Sequence, residues 1–518
     1  MISALSSFLL TSLVLLAAAQ SKATKFDWSS VPFNYSSPDV GTAVIALVRL
    51  PANVSSSADG EYRGPVLLNP GGPSGSGVNF VLGLNSRLLE SLFGSSFDIV
   101  GFDPRGIGRT TPPIRLFSSD AQRDEWGATR HSHVSNTTAN PTVLDDNWVS
   151  SDTLGRLAIE NDREGILPHV TTDNDARDMF SIVEAMGREK LQYYGISYGS
   201  VLGATFAALF PEKIERMVLD GIVNYDNYFR GSWTPGLETA DDALALYAKS
   251  CFNAGPNVCA FSGNASSGDE VLQNVLDLLD AVIASPVPVP GFDGKSVDFN
   301  LLKAVIFQSL YHPYTIDPRL SKGLLELSQG NGTLISVMGT PTDLNATNEI
   351  SNLSPDFVYS SEMQSEALTT VACSDAGRAA TSLDEIKAIY EEAAKISSFA
   401  DNWMTIEEAC AGWKIRPEST FRGPLTAANT SFPILFIGNT FDPVTPLSAA
   451  KRGSAKFPGS VVLTQNSGGH SSLSSPSNCS RKYVLQYFLN GTLPEPDTTC
   501  EVDFDIFNPP NDTTGLYF

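Results

Sequence analysis

The chain has 518 residues, of which 42% are hydrophobic, and its 57 acidic and 34 basic side chains give a formal net charge of −23 at pH 7. Proteins that bind nucleic acid neutralise its phosphates with Lys and Arg, so this charge argues against nucleic acid as a partner. The length exceeds what one compact core usually accommodates, and more than one structural unit is therefore expected.

The first residues have the features of a secretory leader. Residues 1–19 are apolar or small and end in Ala17-Ala18-Ala19, which is a small-residue cleavage pattern. This stretch is short for a membrane span, and no later apolar stretch approaches the length of a membrane helix. The C-terminal tail is not apolar enough for a lipid-anchor signal. We predict a signal peptide over 1–19 and a secreted, extracellular protein without a membrane anchor.

Cysteines and glycosylation sequons agree with secretion. The six cysteines form an even set, which is typical of a disulfide-bonded secreted chain, although six cysteines allow fifteen pairings. Their order along the chain suggests the local pairs Cys251–Cys259, Cys373–Cys410 and Cys479–Cys500. Eleven Asn-x-Ser/Thr sequons occur, including those at Asn34, Asn53, Asn136, Asn264, Asn331 and Asn490. A disulfide-bonded glycoprotein is expected.

Strand and helix patterns alternate through the first part of the chain. The sequence predicts helices at 78–93 and 173–186, and β-rich runs at 41–52, 65–68, 97–102, 191–196 and 214–219. Residues 118–152 are rich in Ser, Thr, Asn and Asp, and we expect a surface excursion there. Strand, glycine loop, helix and strand in this order are typical of a parallel α/β sheet.

Composition changes after about residue 224. Up to 425 the sequence is poor in β patterns and predicts helices at 239–251, 269–284, 299–310 and 383–396. Strands are again predicted at 432–438 and 461–464, and a helix from about 481 to 489 closes the fold. The simplest arrangement is one sheet domain that is interrupted by a helical insertion.

One stretch carries the pattern of a catalytic nucleophile. Gly195-Ile196-Ser197-Tyr198-Gly199 lies between the predicted strand at 191–196 and an apolar helix at 201–210. In a strained strand-to-helix turn, side chains two residues before and after the serine would collide with the backbone, and glycine removes both collisions. The pattern predicts Ser197 as an exposed nucleophile, and an ordinary glycine-rich turn is the alternative.

A serine hydroxyl is a weak nucleophile until a base removes its proton, and the base needs an acid that holds its tautomer. Of the five histidines, only His470 follows a predicted strand in a loop that reaches the catalytic edge of the sheet. Asp220 and Asp442 compete for the acid role. Asp442 precedes His470 by one strand–helix–strand step and preserves the order Ser, Asp, His, so we favour it. Asp220 is expected to organise a loop or cap a helix, and Thr445 to hydrogen-bond near Asp442.

An oxyanion hole needs two backbone N–H groups that face the developing charge. Tyr198, the residue after the nucleophile, is expected to supply one of them, and Gly71 or Gly72 the other; we assign Gly72. Phosphate binding is the rival interpretation of the glycine-rich loops. The loop at 71–77 lacks the Lys-Ser/Thr of a P-loop, and 106–108 lacks the third glycine of a dinucleotide fingerprint.

The sequence predicts no cofactor. His131-x-His133 could suggest a metal site, but further Cys, His or carboxylate ligands at suitable spacing are missing around it. We therefore expect neither a metal ion nor a bound nucleotide.

Taken together, the motifs resemble a known family. They are Asn-Pro-Gly-Gly-Pro at 69–73, Asp-Pro-Arg-Gly at 103–106, Gly-Ile-Ser-Tyr-Gly at 195–199, Arg-Met-Val-Leu-Asp-Gly at 216–221 and Asp-Pro-Val-Thr-Pro at 442–446. With the glycine-flanked His470 and the cysteine-bearing C-terminal region, they look like the tripeptidyl-aminopeptidase branch of the α/β hydrolases, of which proline iminopeptidases are close relatives. The resemblance covers nearly all of the mature chain.

The resemblance implies an α/β-hydrolase fold, in which helices flank a mostly parallel central sheet and a large, mainly helical cap is inserted between core strands 6 and 7. We predict the core over 20–224 and 428–518 and the cap over 225–427. The implied activity is that of a secreted serine exopeptidase that releases short peptides or amino acids from free N-termini.

The family triad maps onto Ser197, Asp442 and His470. Two positions depart from the family pattern. Ser74 stands where the loop often carries glycine, and Asn69 stands where proline iminopeptidases usually have histidine, which favours the tripeptidyl branch.

An aminopeptidase also needs a carboxylate in the cap that holds the substrate's α-ammonium group. Glu362, Glu366 and Asp375 are candidates by location. The same machinery also serves a carboxylic-ester hydrolase that acts on a small metabolite, so the substrate is expected to be a peptide or a small ester. A non-catalytic binding module on this fold is a third hypothesis, and the presence of all three triad residues argues against it.

Overall fold

A computed structural model describes residues 30–56, 60–84, 86–129, 136–292, 294–339, 359–417 and 420–508. The predicted signal peptide, His131 and His133 lie outside these ranges. The strands are β1 (Val31–Pro32), β2 (Thr42–Ala43), β3 (Leu47–Leu50), β4 (Gly64–Asn69), β5 (Phe97–Phe102), β6 (Leu191–Ile196), β7 (Ile214–Asp220), β8 (Val287–Pro288), β9 (Ser296–Val297), β10 (Leu435–Phe441), β11 (Val461–Gly468) and β12 (Thr499–Glu501).

The helices lie between β4 and β12 in the chain. They are α1 (Gly77–Gly83), α2 (Ser86–Phe93), α3 (Asp120–Thr129), α4 (Val143–Asn161), α5 (Thr172–Ala185), α6 (Tyr198–Leu209), α7 (Tyr225–Tyr228), α8 (Ala240–Ala254), α9 (Gly268–Ala284), α10 (Phe299–Ser309), α11 (Pro313–Ser328), α12 (Thr333–Met338), α13 (Ser361–Asp375), α14 (Leu383–Ala393), α15 (Ala400–Ala411), α16 (Leu447–Ser454) and α17 (Asn478–Asn490). Among the described helices, none has both the length and the apolar composition needed to cross a bilayer.

Eight strands form the central sheet, in the order β12-β11-β10-β7-β6-β4-β5-β3. All neighbours run parallel except β3, which pairs with β5 in the antiparallel direction. Parallel strands of this kind are covered on both faces and are mostly apolar, and every residue of β4, β5 and β6 is buried. The predicted α/β-hydrolase fold is confirmed.

Because the parallel strands share a direction, their carboxyl ends meet at one edge of the sheet. Asn69 ends β4, Ser197 follows β6, and Asp220 ends β7. Asp442 directly follows β10, and His470 lies two residues after β11. The sheet therefore gathers at one edge five residues that are far apart in the sequence.

Apolar side chains cover both faces of the sheet and fill a third cluster inside the cap. One face packs against α5 and α6, for example through Met179 and Val201, and the other against α1, α2 and α17. The third cluster joins α8, α9, α10 and α11, for example through Leu244 and Leu302. The four predicted cap helices are present as α8, α9, α10 and α14. The boundaries of the predicted domains stay a prediction.

One prediction for the first half of the chain is wrong, and another is incomplete. Residues 78–93 form two helices, because α1 ends at Gly83 and Leu84 is extended. The predicted surface excursion at 118–152 is mainly exposed or half-buried where it is described, but it contains α3 and the first half of α4, which were not predicted. Tertiary packing overrides the weak helix propensity of α4. At Gly155 this helix lies so close to the C-terminal end of α15 that a Cβ atom would come within 1.9 Å of the Gly412 carbonyl oxygen.

Three disulfides link neighbouring elements, and they are the local pairs suggested by cysteine order. Cys251–Cys259 closes the end of α8, Cys373–Cys410 joins α13 to α15, and Cys479–Cys500 joins α17 to β12. The described part of the chain contains no free cysteine.

Candidate active site

Ser197 occupies a strained turn between β6 and α6. Its backbone has φ 57° and ψ −121°, which is rare for a residue with a side chain. A Cβ atom on Gly195 would come within 2.4 Å of the Gly199 carbonyl oxygen, and one on Gly199 within 2.8 Å of the Asn69 carbonyl oxygen. The two glycines are therefore needed for the backbone to turn this tightly, and the turn leaves Ser197 partly exposed.

His470 and Asp442 form a close pair at the same edge of the sheet. His470 Nδ1 lies 3.1 Å from each of the two Asp442 carboxylate oxygens. The carboxylate is completely buried, whereas the imidazole is 11% exposed. With Nδ1–H donated to the carboxylate, Nε2 is the ring nitrogen that is left to accept a proton.

The Asp442 carboxylate is held by a set of donors besides the imidazole. Its oxygens accept hydrogen bonds from the N–H groups of Val444 (3.0 Å), Thr445 (2.9 Å) and Ser471 (2.9 Å), and from the Thr445 hydroxyl (2.7 Å). Burial by itself raises the pKa of Asp442, but the charge of His470 and these hydrogen bonds outweigh it and lower the pKa below its ordinary value. The site therefore favours the ionised acid.

Ser197 and His470 both lie against the Asp220–Gly221 segment that ends β7. The Ser197 N–H donates to the Asp220 carbonyl oxygen (2.9 Å). A Cβ atom on Gly221 would lie 3.4 Å from His470 Cε1. Within the described residues, the Ser197 hydroxyl makes no hydrogen bond with His470. Such contacts are often long before substrate binds, so the juxtaposition is compatible with a nucleophile–base pair.

The loop after β4 approaches the nucleophile through its glycines. A Cβ atom on Gly71 would lie 2.8 Å from Ser197 Cβ and 3.0 Å from the Tyr198 nitrogen. The Gly71 N–H already donates to Asn69 Oδ1 (2.9 Å). The Gly72 residue is exposed, and within the described residues its N–H has no hydrogen-bond partner. Of the two glycines, Gly72 is therefore the one with a free donor.

Asp220, the competing carboxylate, makes no hydrogen bond to the imidazole within the described residues. It accepts hydrogen bonds from the Tyr194 hydroxyl (2.6 Å) and from the N–H (2.9 Å) and hydroxyl (2.6 Å) of Ser472. Burial raises the pKa of Asp220, and the nearby Asp442 charge adds to the increase. Asp220 thus organises the loop that follows His470, as expected from its place in the sequence.

The cap carboxylates proposed to bind an α-ammonium group have other partners. Glu366 forms an ion pair with Arg123 and accepts from the Leu116 N–H (2.9 Å). Asp375 is fully buried and contacts Thr172 and Tyr228. Glu362 lies at the start of α13 and is partly exposed, and its role stays a prediction.

Sequence reasoning missed two residues that support the loop 468–475, here called the histidine loop. Asn439 Nδ2 donates to the carbonyl oxygens of Gly469 (2.9 Å) and Ser471 (2.6 Å) from below. Tyr311, in the cap, accepts the His470 N–H on its carbonyl oxygen (2.9 Å), and its ring packs edge-on against the imidazole at 5.1 Å. Asn439 follows Gly438 on the strand before Asp442 and could have been noticed there. No sequence pattern marks Tyr311.

Within the described residues, no three His, Cys, Asp or Glu side chains converge as metal ligands. The arrangement at the sheet edge consists instead of a hydroxyl, an imidazole, a carboxylate and backbone donors, which is the set of groups used for acyl transfer.

Comparison with known proteins agrees with the fold. A family model described as "alpha/beta hydrolase fold" matches residues 64–251, and one described as "TAP-like protein" matches residues 395–500. The two matches bracket most of the cap and together include Ser197, Asp442 and His470. The chain has the α/β-hydrolase fold, and its C-terminal part is similar to TAP-like proteins.

Curated relatives of this hydrolase align over most of its length. A serine protease, Hip1, from Mycobacterium tuberculosis is 27% identical over 91% of this chain and 86% of its own. A tripeptidyl aminopeptidase from Streptomyces lividans is 26% identical over 91% and 82%. A protein named carboxylesterase B from M. tuberculosis is 26% identical over 91% and 85%. The chain is accordingly a serine hydrolase.

Solved structures with a similar arrangement are more distant. An epoxide hydrolase from an endophytic Streptomyces aligns over 93% of this chain and 100% of its own, with 13% identity and a TM-score of 0.38. A proline iminopeptidase from Mycobacterium smegmatis aligns over 86% and 91%, with 12% identity and a TM-score of 0.31.

Proposed function

We propose that this hydrolase is a secreted aminopeptidase that releases short peptides or amino acids from the free N-termini of peptides. Ser197 is the nucleophile, His470 the base and Asp442 the acid that orients the base. The observation that carries the proposal is the His470–Asp442 pair beside the strained Ser197 turn, with Nδ1 3.1 Å from both carboxylate oxygens.

The reaction follows from the proton positions in this pair. Ser197 Oγ attacks the peptide carbonyl carbon while His470 Nε2 takes the hydroxyl proton, and the imidazolium that forms is stabilised by Asp442. The N–H groups of Tyr198 and Gly72 hold the oxyanion. His470 then gives the proton to the leaving amine, and water, activated by the same imidazole, releases the acyl group and restores the hydroxyl.

Labelling with a fluorophosphonate tests the nucleophile. The wild-type protein is expected to react at one serine, and Ser197→Ala is expected to abolish the reaction. Ser200→Ala is the matched control, because Ser200 lies one turn further along α6, where its buried hydroxyl accepts the Val223 N–H (3.1 Å). Labelling that persists in Ser197→Ala would overturn the assignment.

Peptide specificity is supported by the relatives named as a serine protease and a tripeptidyl aminopeptidase. The second candidate is a carboxylic-ester hydrolase, which the carboxylesterase B relative favours. Peptide anilides with free and with acetylated N-termini, assayed beside short esters, separate the two. We expect turnover of free peptides and loss of turnover on acetylation, with mass spectrometry identifying the released unit. Turnover of esters alone would replace the first candidate by the second.

We also infer that the chain is secreted and glycosylated. The apolar leader at 1–19 and the three disulfides support secretion. The sequon asparagines Asn53, Asn264 and Asn490 are exposed, so their side chains are accessible to a glycosyltransferase. Expression in a eukaryotic secretory host should yield processed protein in the medium that gains mobility on deglycosylation. Retention in the cell with an intact leader would contradict this.

A further inference from the structure

A carboxylate from the cap reaches the back of the nucleophile turn. Asp375, the last residue of α13, accepts hydrogen bonds from the Thr172 N–H (3.0 Å), the Thr172 hydroxyl (2.5 Å) and the Tyr228 hydroxyl (2.7 Å). The Thr172 hydroxyl oxygen is also 2.6 Å from the Tyr198 hydroxyl. Since Thr172 donates its proton to Asp375, Tyr198 is the donor in that second bond.

These contacts join separate parts of the chain. Thr172 begins α5 and Tyr198 begins α6, and both helices pack on the sheet, whereas Asp375 and Tyr228 belong to the predicted cap. Tyr198 directly follows Ser197. The carboxylate of Asp375 is thus two hydrogen bonds away from the residue whose N–H is proposed to bind the oxyanion.

The end of α13 is held firmly in this place. Arg422 donates to the carbonyl oxygens of Asp375 (2.8 Å) and Ser374 (3.1 Å), and Cys373 is tied to Cys410 by a disulfide. Buried polar networks whose members are satisfied are rigid, because every displacement leaves an unpaired group in a low dielectric. The position of Asp375, and with it the position of Thr172, therefore depends on how the cap is packed.

The Asp375 carboxylate is fully buried, and no ion pair to it occurs among the described residues. Burial therefore raises the pKa of Asp375 to about 6. Among the described residues, the hydrogen bonds to this carboxylate come from the Thr172 N–H and from the hydroxyls of Thr172 and Tyr228. A buried carboxylate that is already engaged in this way is unsuited to binding a substrate amine.

We propose that Asp375 is a positioning residue that fixes the Tyr198 side chain through Thr172, and with it the Tyr198 N–H and the Ser197 turn. The catalytic geometry then depends on correct placement of the cap. This inference rests on the proposed function, because it takes Ser197 as the nucleophile. An oxyanion donor acts mainly in the transition state, so its displacement lowers kcat and leaves KM nearly unchanged.

The test compares Asp375→Ala, Tyr198→Phe and the double variant, with kcat expressed per active site titrated by fluorophosphonate. Each single change is expected to lower kcat roughly tenfold, which is less than complete loss of an oxyanion donor, with KM within about twofold. The double variant should be no slower than the slower single one, because both changes break the same chain of hydrogen bonds. Asp375→Asn keeps an acceptor for the Thr172 N–H and should retain more activity than Asp375→Ala.

Asp401→Asn is the matched control. Asp401 is also a buried cap carboxylate, but it accepts from Asn136 (3.1 Å) and from the Asn402 N–H (2.9 Å), away from the nucleophile turn. The Asp401→Asn variant should have a lower Tm than wild type and a kcat within about twofold of it.

Two results would overturn the proposal: Asp375→Ala with a lower Tm but an unchanged kcat per titrated site, or effects of the two single changes that multiply in the double variant. If Asp375→Ala does not fold, Thr172→Val replaces it, with the same drop in kcat expected. If the proposed function itself is wrong, a different experiment shows it, because Ser197→Ala would then still be labelled by the fluorophosphonate.

Discussion

Asp442 and Asp220 lie at the ends of adjacent strands, and they behave in opposite ways. Both carboxylates are completely buried, and each accepts a backbone N–H from the histidine loop, Asp442 from Ser471 and Asp220 from Ser472. The pKa of Asp442 is nevertheless lowered, whereas the pKa of Asp220 is raised.

The difference comes from the groups beside each carboxylate. Burial raises both pKa values, because a low dielectric disfavours the charged form. At Asp442 the nearby His470 and four hydrogen bonds reverse this effect, whereas at Asp220 the donors are neutral and burial prevails. A position at the catalytic edge of the sheet is therefore insufficient to define an acid partner, since the partner must also face the imidazole.

The largest expected effect separates the two residues directly. Asp442→Asn should lower kcat by about 10³–10⁴, because the amide no longer holds the imidazole in the tautomer that accepts the Ser197 proton. The loss of kcat is measured by steady-state kinetics with a peptide anilide whose N-terminus is free. A loss below about tenfold would mean that Asp442 is not the acid partner.

Asp220→Asn is the matched change at the neighbouring strand, with a smaller effect. We expect kcat to fall roughly tenfold, since the amide weakens the bonds to Ser472 and loosens the histidine loop without altering the tautomer of His470. The same assay serves. If this variant lost as much activity as Asp442→Asn, the assignment of roles to the two carboxylates would be reversed.

The opposite pKa shifts also predict opposite pH dependence of stability. An unfolded Asp titrates at about pH 3.9. Asp442, with its lowered pKa, contributes stability that is present above this pH and is lost as the pH falls. Asp220, with its raised pKa, contributes stability that is present below this pH and is lost as the pH rises.

Tm values between pH 3 and 7 check this expectation. The Tm deficit of Asp442→Asn relative to wild type should grow from acid to neutral pH, and that of Asp220→Asn should shrink. If the Tm deficits of the two variants changed in the same direction with pH, the opposite pKa shifts would be contradicted.

The smallest expected effect is that of Ser472→Ala, which removes one of the donors to Asp220. It should cost about 1 kcal/mol of unfolding free energy and lower kcat by a few-fold. Ser475→Ala is the control in the same loop, because the Ser475 hydroxyl contacts Gln465 (2.8 Å) and Ser467 (2.9 Å) rather than Asp220. Equal losses of kcat in both variants would show that the loop responds as a whole and that Asp220 has no special role.

Short-range chemistry made much of the fold and the candidate site predictable. The nucleophile pattern is a local sequence motif, in which glycines relieve collisions with the backbone at the Ser197 turn, and apolar strand runs followed by glycine loops are typical of a parallel sheet. Helix α4, which begins in 118–152, was missed, because it packs against the distant α15, where Gly155 lies close to Gly412. The Tyr311 support of His470 was missed for the same reason.

The sequence by itself determined the parallel sheet, the Ser197 turn and the small set of histidines and carboxylates from which a triad could be drawn, because these depend on local sterics and on hydrophobic pattern. Only the tertiary structure decided which carboxylate faces His470, which glycine keeps a free N–H, and that Asp375 lies behind Tyr198. Those relations depend on the directions of side chains from distant segments, and burial and hydrogen bonding fix these directions only when the whole chain packs.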